Sequence, residues 1–138
     1  MNLGRNSKID LIKGVPLFSS ASKRELAEIA SIADEIDLPE GKVLIKEGGT
    51  GREFFVLIEG TADVERGGKK VASIGAGDFF GEIALIAKTP RNATITTTSP
   101  VRALVITDRA FRQLLDHSPR IAVGVLTALA ERLAPTTL

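Results

Sequence analysis

Two side chains in the stretch GDFFGEIALIAKTPRNATITT (residues 77–97) are suited to chemistry: Glu82 and, nine residues later, Arg91. A carboxylate accepts hydrogen bonds from hydroxyl groups, and a guanidinium holds an oxyanion with a planar fork of donors. A ligand that carries both a sugar and a phosphate uses the two together. Glu82 opens the segment EIALIA, which lacks strand alternation and contains the good helix formers Ala84, Leu85 and Ala87. Gly81 lets the chain turn from Phe79-Phe80 into this segment, predicted to be a short helix. Exposed N–H groups at a helix start, together with its dipole, make an anion site. Arg91 follows Pro90, which fixes the local chain, and precedes the strand-like NATITT. A guanidinium placed there can close over the same anion.

Each of these residues also has an ordinary reading. A glutamate in a first helical turn often only complements the dipole. An arginine after a proline is commonly a surface charge or the partner of a carboxylate. Phe79-Phe80 reads as core, His117 as a favourable charge at a helix end, and Arg132 as a solvated helix residue. The combination, not any one residue, argues for a ligand.

Composition narrows the functions open to the chain. Its 138 residues suit one domain, and 43% hydrophobic with 25% charged residues supplies a single core. A formal net charge of +1 gives no global field for nucleic acid or an anionic membrane. There is no cysteine and one histidine, so a metal site would need a carboxylate cluster that the sequence does not contain. No nucleophile–base pair or second paired carboxylate appears. The reading is therefore not an enzyme, with no catalytic residues, no metal and no cofactor. MNLGRNSKIDLIKG is too polar for a signal peptide, and no apolar run approaches the roughly 18 residues of a membrane span. A cytoplasmic protein is the expectation.

The elements that must position Glu82 and Arg91 follow from periodicity. KIDLIKGVPLF predicts a short helix broken at Gly14 and Pro16. Ser22 and Glu25 form a capping box, with Leu26, Ile29, Ala30 and Ala33 on one face of the helix that follows. Between Asp34 and Thr107, seven short segments rich in β-branched residues are divided by glycines and prolines. Gly67-Gly68 reads as a two-residue hairpin loop, and the uniformly apolar FFVLI as a strand buried on both faces. Asp108 caps a helix carrying Phe111, Leu114 and Leu115. Ser118-Pro119 starts another, with Ile121, Val125, Ala128 and Leu129 on its inner face. Gly124 in that last helix predicts a point of bending or fraying. The expected fold is α+β. An antiparallel, jelly-roll-like β-barrel over 34–107 is flanked by N-terminal helices (1–33) and two C-terminal helices (108–138), in one domain.

FGEIAL followed by PRNAT resembles the phosphate-binding cassette of the cyclic nucleotide-binding domain family, placed here at residues 80–94. That family includes the catabolite activator protein, protein kinase A regulatory subunits and cyclic-nucleotide-gated channels. VPLFSSASKREL, the glycine-punctuated LPEGKVLIKEGGTGREFFVLIEGTADV and the last helix are also similar to it, so nearly the whole chain is covered. The resemblance implies that Glu82 takes the ribose 2′-hydroxyl and Arg91 the exocyclic phosphate oxygens. Backbone N–H groups near Gly81, Ile83 and Ala84, with those of Asn92 and Ala93, would hold the cyclic phosphate.

Two departures from the family pattern bear on the ligand. After the arginine, the family often has alanine or serine in cAMP sites and threonine in many cGMP sites; here Asn92 stands there. The expectation is cAMP, with cGMP as the competitor. The chain has no Trp or Tyr and no aromatic in its last helix, so a lid over the base would be aliphatic, from Leu126, Leu129 or Leu133, or a cation–π contact from Arg132. The function implied is a cyclic nucleotide sensor whose flanking helices pass the signal to a protein partner or output domain, with a homodimer through the last helix as one arrangement. The chain ends at Leu138 without room for the DNA-binding element of an activator. The competing reading is a protein-interaction scaffold that keeps the fold without the nucleotide. Intact Glu82 and Arg91 argue against that reading, since a buried arginine would be costly without its anion.

Overall fold

Ser22 and Glu25 exchange two hydrogen bonds at the start of α2 (Lys23–Ile32). Glu25 N–H donates to the Ser22 hydroxyl at 3.2 Å, and Ser22 N–H donates to Glu25 Oε1 at 2.9 Å. Two helix-start donors are thereby satisfied, as the capping pattern predicts. Leu26, Ile29 and Ala30 turn inward, while Ala33 lies just past the helix end, where it is also buried. Upstream, α1 (Arg5–Lys13) stops before Gly14, and a 3-10 turn over Pro16–Phe18 buries Leu17 and Phe18. The structure is a computed structural model that describes residues 5–81 and 88–133, with the side chains of residues 8–81 and 88–131.

Eight strands follow among the described residues. They are β1 (Asp34–Leu38), β2 (Val43–Ile45), β3 (Glu53–Glu59), β4 (Ala62–Arg66), β5 (Lys69–Ile74), β6 (Phe79–Phe80), β7 (Thr94–Thr97) and β8 (Val101–Thr107). They form two antiparallel four-stranded sheets, ordered β1-β8-β3-β6 and β2-β7-β4-β5, the jelly-roll arrangement expected. Phe55, Leu57, Phe80, Val101 and Ala103 from the first sheet meet Ile45, Ala62 and Ile95 from the second in one core. The Phe55 and Phe80 rings stack with centroids 5.2 Å apart. Phe54, Val56, Leu104 and Ile106 are also fully buried, so β3 and β8 are covered on both faces, as FFVLI predicts. The β4–β5 turn at Gly67-Gly68 has φ of 58° and 77°, conformations that two-residue hairpins require and glycine adopts freely.

Two helices close the described chain, α3 (Asp108–His117) and α4 (Pro119–Leu133). The contacts divide the chain into two compact units, one of the strands, Ala33–Asp108, and one of the helices before and after them. Within the helical unit Ser118 has two tasks. Its hydroxyl oxygen accepts the Ile121 N–H at 3.5 Å, capping α4, and the same hydroxyl donates to Glu25 Oε2. That bond and then the Ser22 N–H hold the Glu25 carboxyl below the usual carboxylate range, against the opposing effect of burial.

Gly124 has a packing reason. A Cβ there would stand 3.2 Å from the Leu17 carbonyl oxygen, so glycine admits the 3-10 turn against the helix. α4 runs as one helix through this position. Ile121 and Val125 are buried, whereas Val123 and Leu126 are 59% and 65% exposed. No helix among the described residues is long and apolar enough to cross a membrane.

Candidate functional site

Arg91 lies on the segment that leads into β7, and its burial is the first fact of the site. The residue is 7% exposed, which removes the surface-charge reading. Its Nη1 donates to the Gly81 carbonyl at 2.9 Å and its Nη2 to the Glu53 carbonyl at 2.7 Å. The guanidinium therefore joins the end of β6 to the start of β3. Both acceptors are backbone carbonyls, so these two bonds orient the guanidinium. They also remove the force of the argument that burial of this arginine by itself demands a bound anion.

Gly81 is required at the other end of the contact. Its φ is +97°, and a Cβ would meet the Glu53 oxygen at 2.7 Å and Arg91 Nη1 at 2.8 Å. Only a glycine lets this carbonyl face the guanidinium at that distance. Lys88 is the one positive-φ residue other than glycine among those described, with φ of 57°.

The backbone beside Arg91 is fastened on two sides. On one side Gly48 N–H donates to the Arg91 carbonyl and Arg91 N–H donates to the Gly49 carbonyl, each at 2.8 Å. On the other, Arg66 Nε at the end of β4 donates to the Asn92 carbonyl at 3.1 Å. Glu47 links the two sides, its N–H donating to Thr94 Oγ1 and its Oε1 accepting from Gly67 N–H, both at 3.0 Å. Ala93 is buried and Asn92 exposed. Among the described residues no acceptor takes the N–H of Asn92 or Ala93. A buried guanidinium followed by two such amides is an arrangement that suits an anion.

Of the residues predicted from sequence, Gly81, Arg91, Asn92 and Ala93 are brought together at this corner. Glu82, Ile83 and Ala84, and with them the helix predicted for EIALIA, lie outside the described residues, as do the side chains of Arg132 and Leu133. Leu126 and Leu129 belong to α4 in the helical unit. The residues that sequence reasoning missed are Arg66, Glu47 and the Gly48-Gly49 turn. The turn was legible as a glycine break, but its partner, 42 or more positions away, was not. Among the described residues no cluster of three or more His, Asp or Glu could hold a metal.

Residues 35–118 match the model of the cyclic nucleotide-binding domain. The cAMP-dependent protein kinase regulatory subunit of Mycosarcoma maydis is 35% identical over 132 residues, which cover 89% of this chain and 24% of that protein. A cyclic nucleotide-gated potassium channel of Rhizobium etli is 36% identical, over 88% of this chain and 34% of the channel. The chain thus spans about a quarter to a third of the length of these relatives. Among solved structures, cAMP-bound PfPKA-R superposes with a TM-score of 0.83 at 27% identity, covering 95% of this chain and 45% of that one.

Proposed function

This chain belongs to the cyclic nucleotide-binding domain family, and from that premise we propose that it is a sensor domain that binds cAMP and passes the signal through its flanking helices to a protein partner or output domain. The carrying observation is the Arg91 corner: a buried, oriented guanidinium followed by the amides of Asn92 and Ala93, within the matched segment. In this reading Arg91 takes the exocyclic phosphate oxygens, the amides of 92 and 93 take the cyclic phosphate, and Glu82 takes the ribose 2′-hydroxyl. cAMP is favoured over cGMP because the threonine associated with many cGMP sites is absent and because the matched regulatory subunit is named as cAMP-dependent. The domain performs no chemistry of its own and acts in the cytoplasm.

A protein-interaction scaffold is the second reading, and one observation favours it. Two backbone carbonyls already accept from Arg91, so its burial does not by itself require a ligand. A thermal-shift titration with cAMP, cGMP and linear AMP separates the two. At about 100 times the dissociation constant, linkage adds roughly 2.7 kcal/mol. For a domain of this size that is a rise of roughly 3–7 °C, largest for cAMP and smallest for AMP. No shift with either cyclic nucleotide at millimolar concentration selects the scaffold.

A further inference from the structure

We infer that Arg66 is a positioning residue for the anion site, acting through the Asn92 carbonyl; this rests on the nucleotide reading above. β4 and β7 pair from Ala62↔Thr97 to Glu65↔Thr94, and Glu65↔Thr94 is the last rung of that ladder. Beyond it the chain 91–93 leaves the sheet, so no ladder fixes the direction in which the Asn92 and Ala93 amides point. Side-chain and turn bonds take over that task. The 48–49 turn holds Arg91 from one side, and Arg66 Nε holds the Asn92 carbonyl from the other. A peptide plane is rigid, so fixing the Asn92 carbonyl fixes the Ala93 N–H at its opposite edge. The Ala93 amide is one of the two proposed phosphate donors. Arg66 thereby presets a donor that it never touches.

The hairpin tip reinforces this placement. Gly67 N–H donates to Glu47 Oε1, and Glu47 N–H donates to Thr94 Oγ1. The tip is thus tied to the residue that begins β7, although Arg66 to Lys69 are exposed. An exposed arginine is by default a solvated charge. Here its Nε, the least mobile of its donors, is spent on a backbone carbonyl next to the site, which solvation alone does not explain.

Glutamine separates the donor from the charge, because its side-chain nitrogen is attached at the same carbon position as Arg Nε. Arg66→Met keeps an unbranched stem without a donor. Calorimetric titration of the full chain with cAMP should show affinity reduced roughly tenfold in R66M and largely retained in R66Q. In the ligand-free protein, amide exchange at Arg91 and Gly48 should quicken in R66M and stay at the wild-type rate in R66Q. Equal affinity in wild type and R66M overturns the inference. Equal losses in R66M and R66Q overturn it too, since charge and not the hydrogen bond would then be responsible. Should wild type bind no cyclic nucleotide, the nucleotide reading falls, and unchanged exchange in ligand-free R66M would still dismiss the clamp by itself.

Discussion

Arg91 has two sets of obligations, and truncating it separates them. Arg91→Ala leaves the Gly81 and Glu53 carbonyls without their donor, which lowers ligand-free stability by about 1–3 kcal/mol. It should also weaken cyclic nucleotide binding by about 2–5 kcal/mol, the usual cost of removing one member of a buried charge pair. Arg91→Lys restores the charge but cannot span two carbonyls with a planar fork, so its rescue is partial in both measurements. Chemical denaturation without ligand and calorimetry with cAMP report the two effects independently. An alanine variant as stable as wild type would show that the carbonyl bonds contribute nothing to the fold. The sequence made Arg91 visible as a candidate because its side-chain chemistry is distinctive. Its internal partners were hidden because they are main-chain oxygens, which every residue carries.

At the scale of elements, the capped helix starts were legible and their mutual bond was not. Ser22, Glu25, Ser118 and Pro119 each announce a helix terminus through local spacing. That Ser118 also donates to Glu25, across 93 positions, depends on which helices pack together. The strands were readable for the same local reason, since β-branched runs and glycine breaks mark their ends. The register that carries Arg66 to Asn92 is a property of paired strands, and neither strand shows it alone. The Ser118–Glu25 bond makes a pH-dependent contribution whose sign follows from its chemistry. Glu25 has a depressed folded pKa, chiefly through the Ser118 hydroxyl. Such a group contributes stability above its unfolded pKa and loses it as pH falls through the folded value. Ser118→Ala should therefore cost about 1–2 kcal/mol near neutrality. The gap from wild type should narrow as pH falls below the ordinary carboxylate range without closing, since the α4 cap is lost at every pH. Urea unfolding of both proteins at pH 7 and pH 3 measures this. An equal gap at both pH values would remove Glu25 from the account.

For the whole molecule, the proposed signal must travel from the strands to the helices, and hydrogen exchange can follow it. cAMP should raise protection at 81–94 by contact and also change exchange at 121–133 if the helices respond. A change confined to 81–94 would leave a binding module without an output through α4. A ligand can bias the helices only by its differential affinity for two arrangements of them. The discontinuous make-up of the helical unit has a further consequence, for the order of assembly. The strand unit is one uninterrupted stretch, whereas the helical unit draws on chain from both sides of it. During synthesis, every residue of the strand unit is joined to the chain before α4 exists. Until then Glu25 lacks its Ser118 hydroxyl and Leu17 lacks the close approach that Gly124 permits. The early helices must wait, tethered to the strand unit, for a partner made after it. A chain truncated between Asp108 and Ser118 and released from the ribosome should thus carry an ordered β unit and unsupported N-terminal helices, a state open to chaperone capture.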